Sequence, residues 1–438
     1  MMRSSKSRPM AVIVGVAVTS LALTACGGGD GGGGGDASTL TFLVDNSEDT
    51  VAQAEALADA FNKQSDGITV EVETRPQGGE GDNVVKTRLS TGDMTDMFMY
   101  NSGSLFQALN PSQTMAPVDD EDWVGSLQKE FVQSVTVDDK VYGAPWGPFQ
   151  AGGMMYHIPT YEELGLEVPK TWDQFMANNE KIKAAGKTPV IETFGDTWTS
   201  QLLVLGDFHN VAAEEPNFAE DYTAGKAKYG DTPAATRGFQ HLQDVYEAGY
   251  MNEDFASANF EDGLGMVAQG EGVHYPILSG GIASIVANFP DQVDDVGFMA
   301  IPGDDESTYG LTVWAPNAVY IPATTEDEKL EAAKQFLAFV ASPEGCEAFS
   351  SAAAPTGPYA VEGCDLPEDV PQTVKDIQTY LDEGNSSLAL EFVSPVKGPA
   401  LEQITVEVGS GIRPAKDGAA LYDEDAKKQA QQLGLEGW

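Results

Sequence analysis

VYGAPWGPFQAGGMMYHIPTYEELGLEVPKTWDQFMANNEKIKAAG, residues Val141 to Gly186, is the stretch whose reading decides the fold. Its front part, Tyr142-Gly143-Ala144-Pro145-Trp146-Gly147, sets a large ring among proline and glycine. A helix cannot form there, and the Trp146 ring is expected to project from a turn as the wall of a cleft. Its back part reads as a helix opened by a capping box, Thr171 with Gln174, and closed at Gly186. Trp172, Phe175, Met176 and Ile182 follow at helical spacing and are expected in the core.

Strands and helices alternate on both sides of this stretch. Leu40 to Val44 is a short apolar strand, and Val51, Ala54, Leu57, Ala58 and Phe61 line one face of the helix after it. Ile68 to Glu73 alternates apolar and polar as a half-buried strand does, and Asp96 to Tyr100 reads as a buried one. Open α/β sheets bind ligands beyond the carboxyl ends of their strands. Asp45 and Asn46, just after the first strand, are therefore candidate ligand contacts, while Ser47 beside them could cap the helix. Thr236 to Gly249 is an amphipathic helix with Phe239, Leu242, Val245 and Tyr246 inward, and Tyr309 to Ile321 is an extended pair that would bring Trp314 near the opening. Thr325 and Glu328 read as a second capping box. From Pro371 onward the pattern is helical, broken at Gly384, Gly411 and Gly418, with no run long enough to add a strand.

Three pieces in order, Tyr142–Gly147 (YGAPWG), Met154–Phe175 (MMYHIPTYEELGLEVPKTWDQF) and Gly186–Val190 (GKTPV), resemble the central signature of the family 1 extracellular solute-binding proteins, the maltodextrin-binding type that feeds ABC importers. The family's usual tyrosine-asparagine-lysine segment is replaced here by Tyr156-His157-Ile158-Pro159. The resemblance implies a two-lobe periplasmic-binding-protein fold of type II, each lobe a mixed sheet flanked by helices, with three crossings near Pro145 to Gln150, Val296 to Ala300 and Ala352 to Thr356. Lobe 1 would hold residues 39–147 and 299–353, and lobe 2 residues 148–298 and 354–438. By the same resemblance Asn101 and Ser102 at a strand end, Phe149 beside Trp146, Asp196 and Trp198 on a polar loop, and Tyr275 after a Phe260 to Gly270 segment are expected at the cleft. Capping by Asn101 and Ser102, and packing of Trp198 under a helix, are the structural alternatives.

The first residues read as an address. Arg3, Lys6 and Arg8 precede an apolar run from Met10 to Ala25 too short to span a bilayer comfortably, and Leu23-Thr24-Ala25-Cys26 is similar to a bacterial lipobox. That implies a signal peptide over residues 1–25, lipid on Cys26, and attachment to the outer face of the cytoplasmic membrane. Residues 26–38, nearly all glycine, are expected to form a flexible leash. A hydrophobic fraction of 42% over the whole chain is enough for the cores of two domains. The 24 basic against 68 acidic residues give a formal charge of −44, which disfavours nucleic acid and anionic lipid as ligands. With Cys26 lipidated, Cys346 and Cys364 are left in an oxidising compartment and are expected to be bridged.

Catalytic patterns are lacking. There is no G-x-S-x-G, no H-E-x-x-H and no P-loop; His157, His209, His241 and His274 are scattered, and Asp119 to Asp122 lacks the spacing of a calcium loop. Together with this lack, the resemblance to solute-binding proteins implies a monomeric receptor without cofactor or metal. Its expected ligand is a carbohydrate, whose apolar ring faces stack on Trp or Tyr and whose hydroxyls pair with Asp and Asn. Its expected partner is an ABC permease. A polyamine or peptide receptor is the alternative, and a glycoside-acting enzyme the more distant one.

Overall fold

The computed structural model describes residues 38–438, so the leader, Cys26 and all but the last residue of the glycine-rich leash lie outside the described residues. Two mixed sheets organise the chain. In the first, Ser38–Asp45 lies between parallel neighbours Ile68–Arg75 and Met97–Tyr100, with Asn317–Tyr320 and then Gly143–Trp146 added antiparallel, one after the other. Leu40, Phe42, Leu43 and Val44 are buried on both faces of the inner strand, as a strand between parallel neighbours requires. The helix Glu48–Gln64 covers one face through Ala54, Leu57, Ala58 and Phe61. The segment expected to turn at Trp146 is instead the edge strand, the position in a sheet that tolerates Pro145.

The second sheet is built on Gln150–His157. Gly272–Leu278 pairs antiparallel along one side and Thr188–Val190 extends that side in parallel. On the other side Val296–Met299 pairs with the second half of the strand, and Leu311–Trp314 pairs with the first half. Behind this sheet the helices Pro233–Glu247, Leu401–Gly409 and Ala415–Gln432 pack together through Phe239, Leu242, Ile404, Val408, Ala419 and Tyr422.

Four further sequence expectations are corrected. Residues expected to return to lobe 1 from 299 stay with the second sheet through Trp314, and the chain crosses back between Trp314 and Asn317. The last crossing also comes later than Ala352 to Thr356. Pro148 still bridges Tyr359 and Leu127 bridges Val361, whereas the helix Gln372–Asp382 packs on Val296–Met299. The tail adds a strand after all: Ser386–Leu388 pairs parallel with Leu311–Trp314. Three residues are too few to show an alternating pattern. The Thr325 hydroxyl donates to the Asp96 carbonyl 3.0 Å away and caps no helix. Thr171 does cap its helix, accepting from the Gln174 amide, and Gln174 reaches back to the amide of Lys170. Cys346 and Cys364 are joined in a disulfide, their Cα atoms 5.9 Å apart.

Candidate functional site

Between the sheets lies a cleft whose walls come from both. On the first-sheet side are Asp49 and Gln53 of the helix Glu48–Gln64, Asn101 and Ser102 just past Met97–Tyr100, Trp146, and Asn317. Facing them are Gln150, Trp314 and Glu391, with Phe349 and the run Ala353–Thr356 along the rim. This cavity of about 380 Å³ shares Asn101, Ser102, Glu391 and Phe392 with a second of about 430 Å³, which continues past Gln201, Lys397, Glu402 and Gln429. The cleft opens beyond the carboxyl end of the strand that delivers Asn101, the expected place for a ligand in such sheets.

Each aromatic wall has a local cause. Trp146 ends the edge strand of the first sheet, wedged edge-on between Phe42 and Phe349 with ring centroids 5.7 and 5.4 Å away. Its ring is mostly covered, 7% exposed, so it serves the core and the cleft together. Trp314 ends Leu311–Trp314 and lies over Gly152 on the neighbouring strand, where a methyl group would come within 2.2 Å of the indole. Its Nε1 donates to Glu391 Oε1 at 2.5 Å, so the ring plane is fixed by a glycine below and a carboxylate at its edge. Glu391 also pairs with Lys397. The short helix Leu390–Val393 that carries Glu391 follows the edge strand Ser386–Leu388 and crosses to the first sheet's side. There Gly103, with φ of +67°, allows the close approach: a side chain would meet Phe392 at 2.7 Å and the Glu391 carbonyl at 2.8 Å.

Four of the ten ligand contacts expected from sequence line this cleft: Asn101, Ser102, Trp146 and Trp314. The others are placed elsewhere. Asp45 accepts from the amide and hydroxyl of Ser47 at 2.9 and 2.6 Å, which orders the start of the following helix, and Asn46 is exposed outside both cavities. Phe149 is fully buried. Asp196 accepts from the Phe260 amide at 2.7 Å, and Trp198 packs on the Phe260 ring, centroids 5.2 Å apart. Tyr275 points into the second sheet's core against Gly263, its hydroxyl bonded to Thr193 at 2.7 Å and pushed well above its ordinary pKa by burial. In these last cases a loop or strand of the expected composition turns its aromatic inward. Gln150, Phe349, Glu391 and Lys397 were missed. Gln150 closes one expected crossing and Phe349 comes shortly before another; Glu391 and Lys397 lie in a tail whose strand left no trace in the sequence.

The bacterial extracellular solute-binding protein family matches residues 45–345. The chain belongs to that family. Among its relatives in this family, the multiple sugar-binding protein of Streptococcus mutans is 24% identical over 358 residues, covering 80% of this chain and 81% of its own. The melibiose/raffinose/stachyose-binding protein MelE of Bacillus subtilis is 22% identical over 330 residues, 71% of each chain. Of solved structures, apo RafE from Streptococcus pneumoniae superposes with a TM-score of 0.75 at 20% identity, covering 91% of this chain and all of that one. As an extracellular solute-binding protein the chain works outside the cytoplasm, and among the described residues no helix is long and apolar enough to cross a membrane. No group of three or more His, Cys, Asp or Glu among the described residues is placed to hold a metal ion.

Proposed function

We propose that this solute-binding protein captures a carbohydrate of more than one ring between its lobes and presents it to the membrane permease of an ABC importer. The observation that carries the reading is the lining of the cleft: Trp146, Trp314 and Phe349 alternate with the amide side chains of Asn101, Gln150 and Asn317. Apolar ring faces of a pyranose stack on the former, and its hydroxyls pair with the latter. Two joined cavities give room for a second ring. The names of the Streptococcus mutans and Bacillus subtilis relatives, both sugar-binding, point the same way. Binding favours the closed arrangement of the lobes, and the permease reads that arrangement. The protein is a receptor and not an enzyme, works as a monomer, and contacts Asp45, Asn46, Phe149, Asp196, Trp198 and Tyr275 do not enter the proposed site.

A receptor for polyamines is the second reading, favoured by the carboxylates Asp49, Glu391 and Glu402 in the lining. Isothermal titration of the purified protein against neutral di- and trisaccharides and against spermidine separates the two. Sugar binding with no spermidine heat is expected; the reverse would replace the first reading by the second. We further propose that Cys26 carries lipid and holds the protein at the outer face of the membrane. Cys26→Ser should abolish labelling by a radioactive fatty acid and release the protein into the medium, and undiminished labelling would end that part of the proposal.

A further inference from the structure

Among the described residues, the charged side chains lining the two joined cavities are Asp49, Glu391 and Glu402 against a single cation, Lys397. That cation is already taken. Its ammonium pairs with the Glu391 carboxylate, which also accepts from the Trp314 indole. Glu402 accepts from the Thr197 hydroxyl at 3.1 Å. The rest of the polar lining, which includes Asn101, Gln150, Gln201 and Asn317, is uncharged. A sugar bearing a carboxylate would have to shed water in a lining whose three acids and one cation leave a net charge of −2, with that cation already paired, and an unpaired charge in a desolvated site is costly. A neutral hydroxyl meets no such penalty, because amides supply both a donor and an acceptor.

On the sugar-receptor reading above, we infer that Glu391 is a specificity-determining residue. It occupies Lys397, the one cation of the lining among the described residues, and so reserves the cleft for uncharged oligosaccharides against uronic-acid sugars. Specificity of this kind is set by what the site repels as much as by what it attracts. Glu391→Gln is the discriminating change. Its side-chain oxygen can still accept from Trp314 and leave the ring in place, while the Lys397 ammonium is freed for an incoming carboxylate.

The test is calorimetric titration of the full mature chain, wild type and E391Q, with raffinose, maltotriose and chitotriose as neutral probes and trigalacturonate and a glucuronate-capped disaccharide as acidic ones. Wild type is expected to bind a neutral probe at least a hundredfold more tightly than either acid. E391Q should narrow that ratio tenfold or more, with a gain that fades as salt is raised, and adding Lys397→Met should cancel the gain. Wild type binding the acidic probes as tightly as the neutral ones would overturn the inference while leaving the sugar reading standing, as would an unchanged ratio in E391Q. Binding of none of the five probes by a normally melting wild type would remove the sugar reading and the inference with it. Should E391Q fold poorly, Lys397→Gln alone serves: acidic probes should weaken further, and their strengthening would overturn the role given to Glu391.

Discussion

Around the first sheet the interior is mostly hydrocarbon and aromatic: Phe336 packs edge-on against Phe42 and Phe61 on one face, and Phe98 lies against Tyr320 on the other. Behind the second sheet the buried residues include Glu192, Asp207, Asn210, His241 and His274 as well. His241 Nδ1 stands 3.9 Å from Asp207 Oδ1, too far for a hydrogen bond, and the ring of Trp172 stacks on the imidazole with centroids 3.7 Å apart. Burial pushes the Asp207 carboxyl up to about 8 and the His241 imidazole down to about 3, so at neutral pH both are uncharged. The first lobe is held by apolar packing together with the Cys346–Cys364 disulfide and a partly exposed Asp96 that accepts from Thr41 and Lys329. The second depends on packing that keeps water away from groups which would ionise if wetted.

Removing the cover is the most direct way to break this comparison. Trp172 leaves a large hole if cut to Ala, and a buried tryptophan truncated in this way costs roughly 3 to 5 kcal/mol. Urea denaturation of Trp172→Ala should therefore show a loss in that range, with ligand affinity of the folded fraction unchanged. A loss below about 1 kcal/mol would mean the stack on His241 carries little of the second lobe's stability.

Trp314 sharpens the contrast from the other side of the same sheet. It ends a strand at the cleft, half-buried, and its ring is positioned by Gly152 and Glu391 more than by a surrounding core. Trp314→Ala should lower affinity for the tightest-binding sugar of the titration panel at least tenfold, about 1.4 kcal/mol, with a small shift in melting temperature. Trp198→Ala, which uncovers Phe260 outside both cavities, should do the opposite: affinity within twofold and earlier melting. If Trp198→Ala lost the sugar and Trp314→Ala kept it, the cleft assigned here would be the wrong one.

How much of this was legible in the sequence follows the same division. A continuous apolar run located the inner strand Ser38–Asp45, and helical periodicity located the helices Trp172–Ala184 and Pro233–Glu247, because each helix buries a regular stripe. It could not say which sheet a short strand joins. Leu311–Trp314 and Asn317–Tyr320 are near neighbours in sequence and belong to different sheets, a choice made by register across Gly152 and Tyr100 and by no local preference. For the site, Asn101 and Ser102 were expected through the family resemblance, Trp146 on a turn that proved to be a strand, and Trp314 at the end of an extended segment, whereas Asp45 and Asn46, read from a strand end, lie outside the cleft. Tyr275 and Trp198 misled because a ring beside Pro or Thr looks the same whether it faces a cleft or a core. Glu391 and Lys397 had no local signal, since their position is fixed by a three-residue edge strand and by contact with Gly103.

The smallest expected effect tests the buried charges themselves. A carboxyl whose folded pKa is raised holds a proton that the unfolded chain has released, so its contribution to stability is lost as pH rises from the ordinary value toward the folded one. For Asp207 that window runs from about 4 to about 8, and Glu192, raised well above its ordinary value by burial, acts in the same sense. His241 and His274, each held down to about 3 by burial, act in the opposite sense. They bind fewer protons folded than unfolded between about pH 3 and 6.5, so there they add stability as pH rises and mask the acids. Above pH 6.5 the unfolded imidazoles release the rest of their protons, a change shared by wild type and an Asp207 variant, so the difference between those two proteins reports the acid alone. Between pH 6.5 and 7.5 the wild type should lose about 1 kcal/mol relative to Asp207→Asn, the share of one proton over one pH unit. Urea titrations of the two proteins at both pH values measure that difference directly. Parallel curves, with the same change in wild type and variant, would mean that Asp207 is ionised in the folded protein and that the second lobe's interior is wetter than its packing implies.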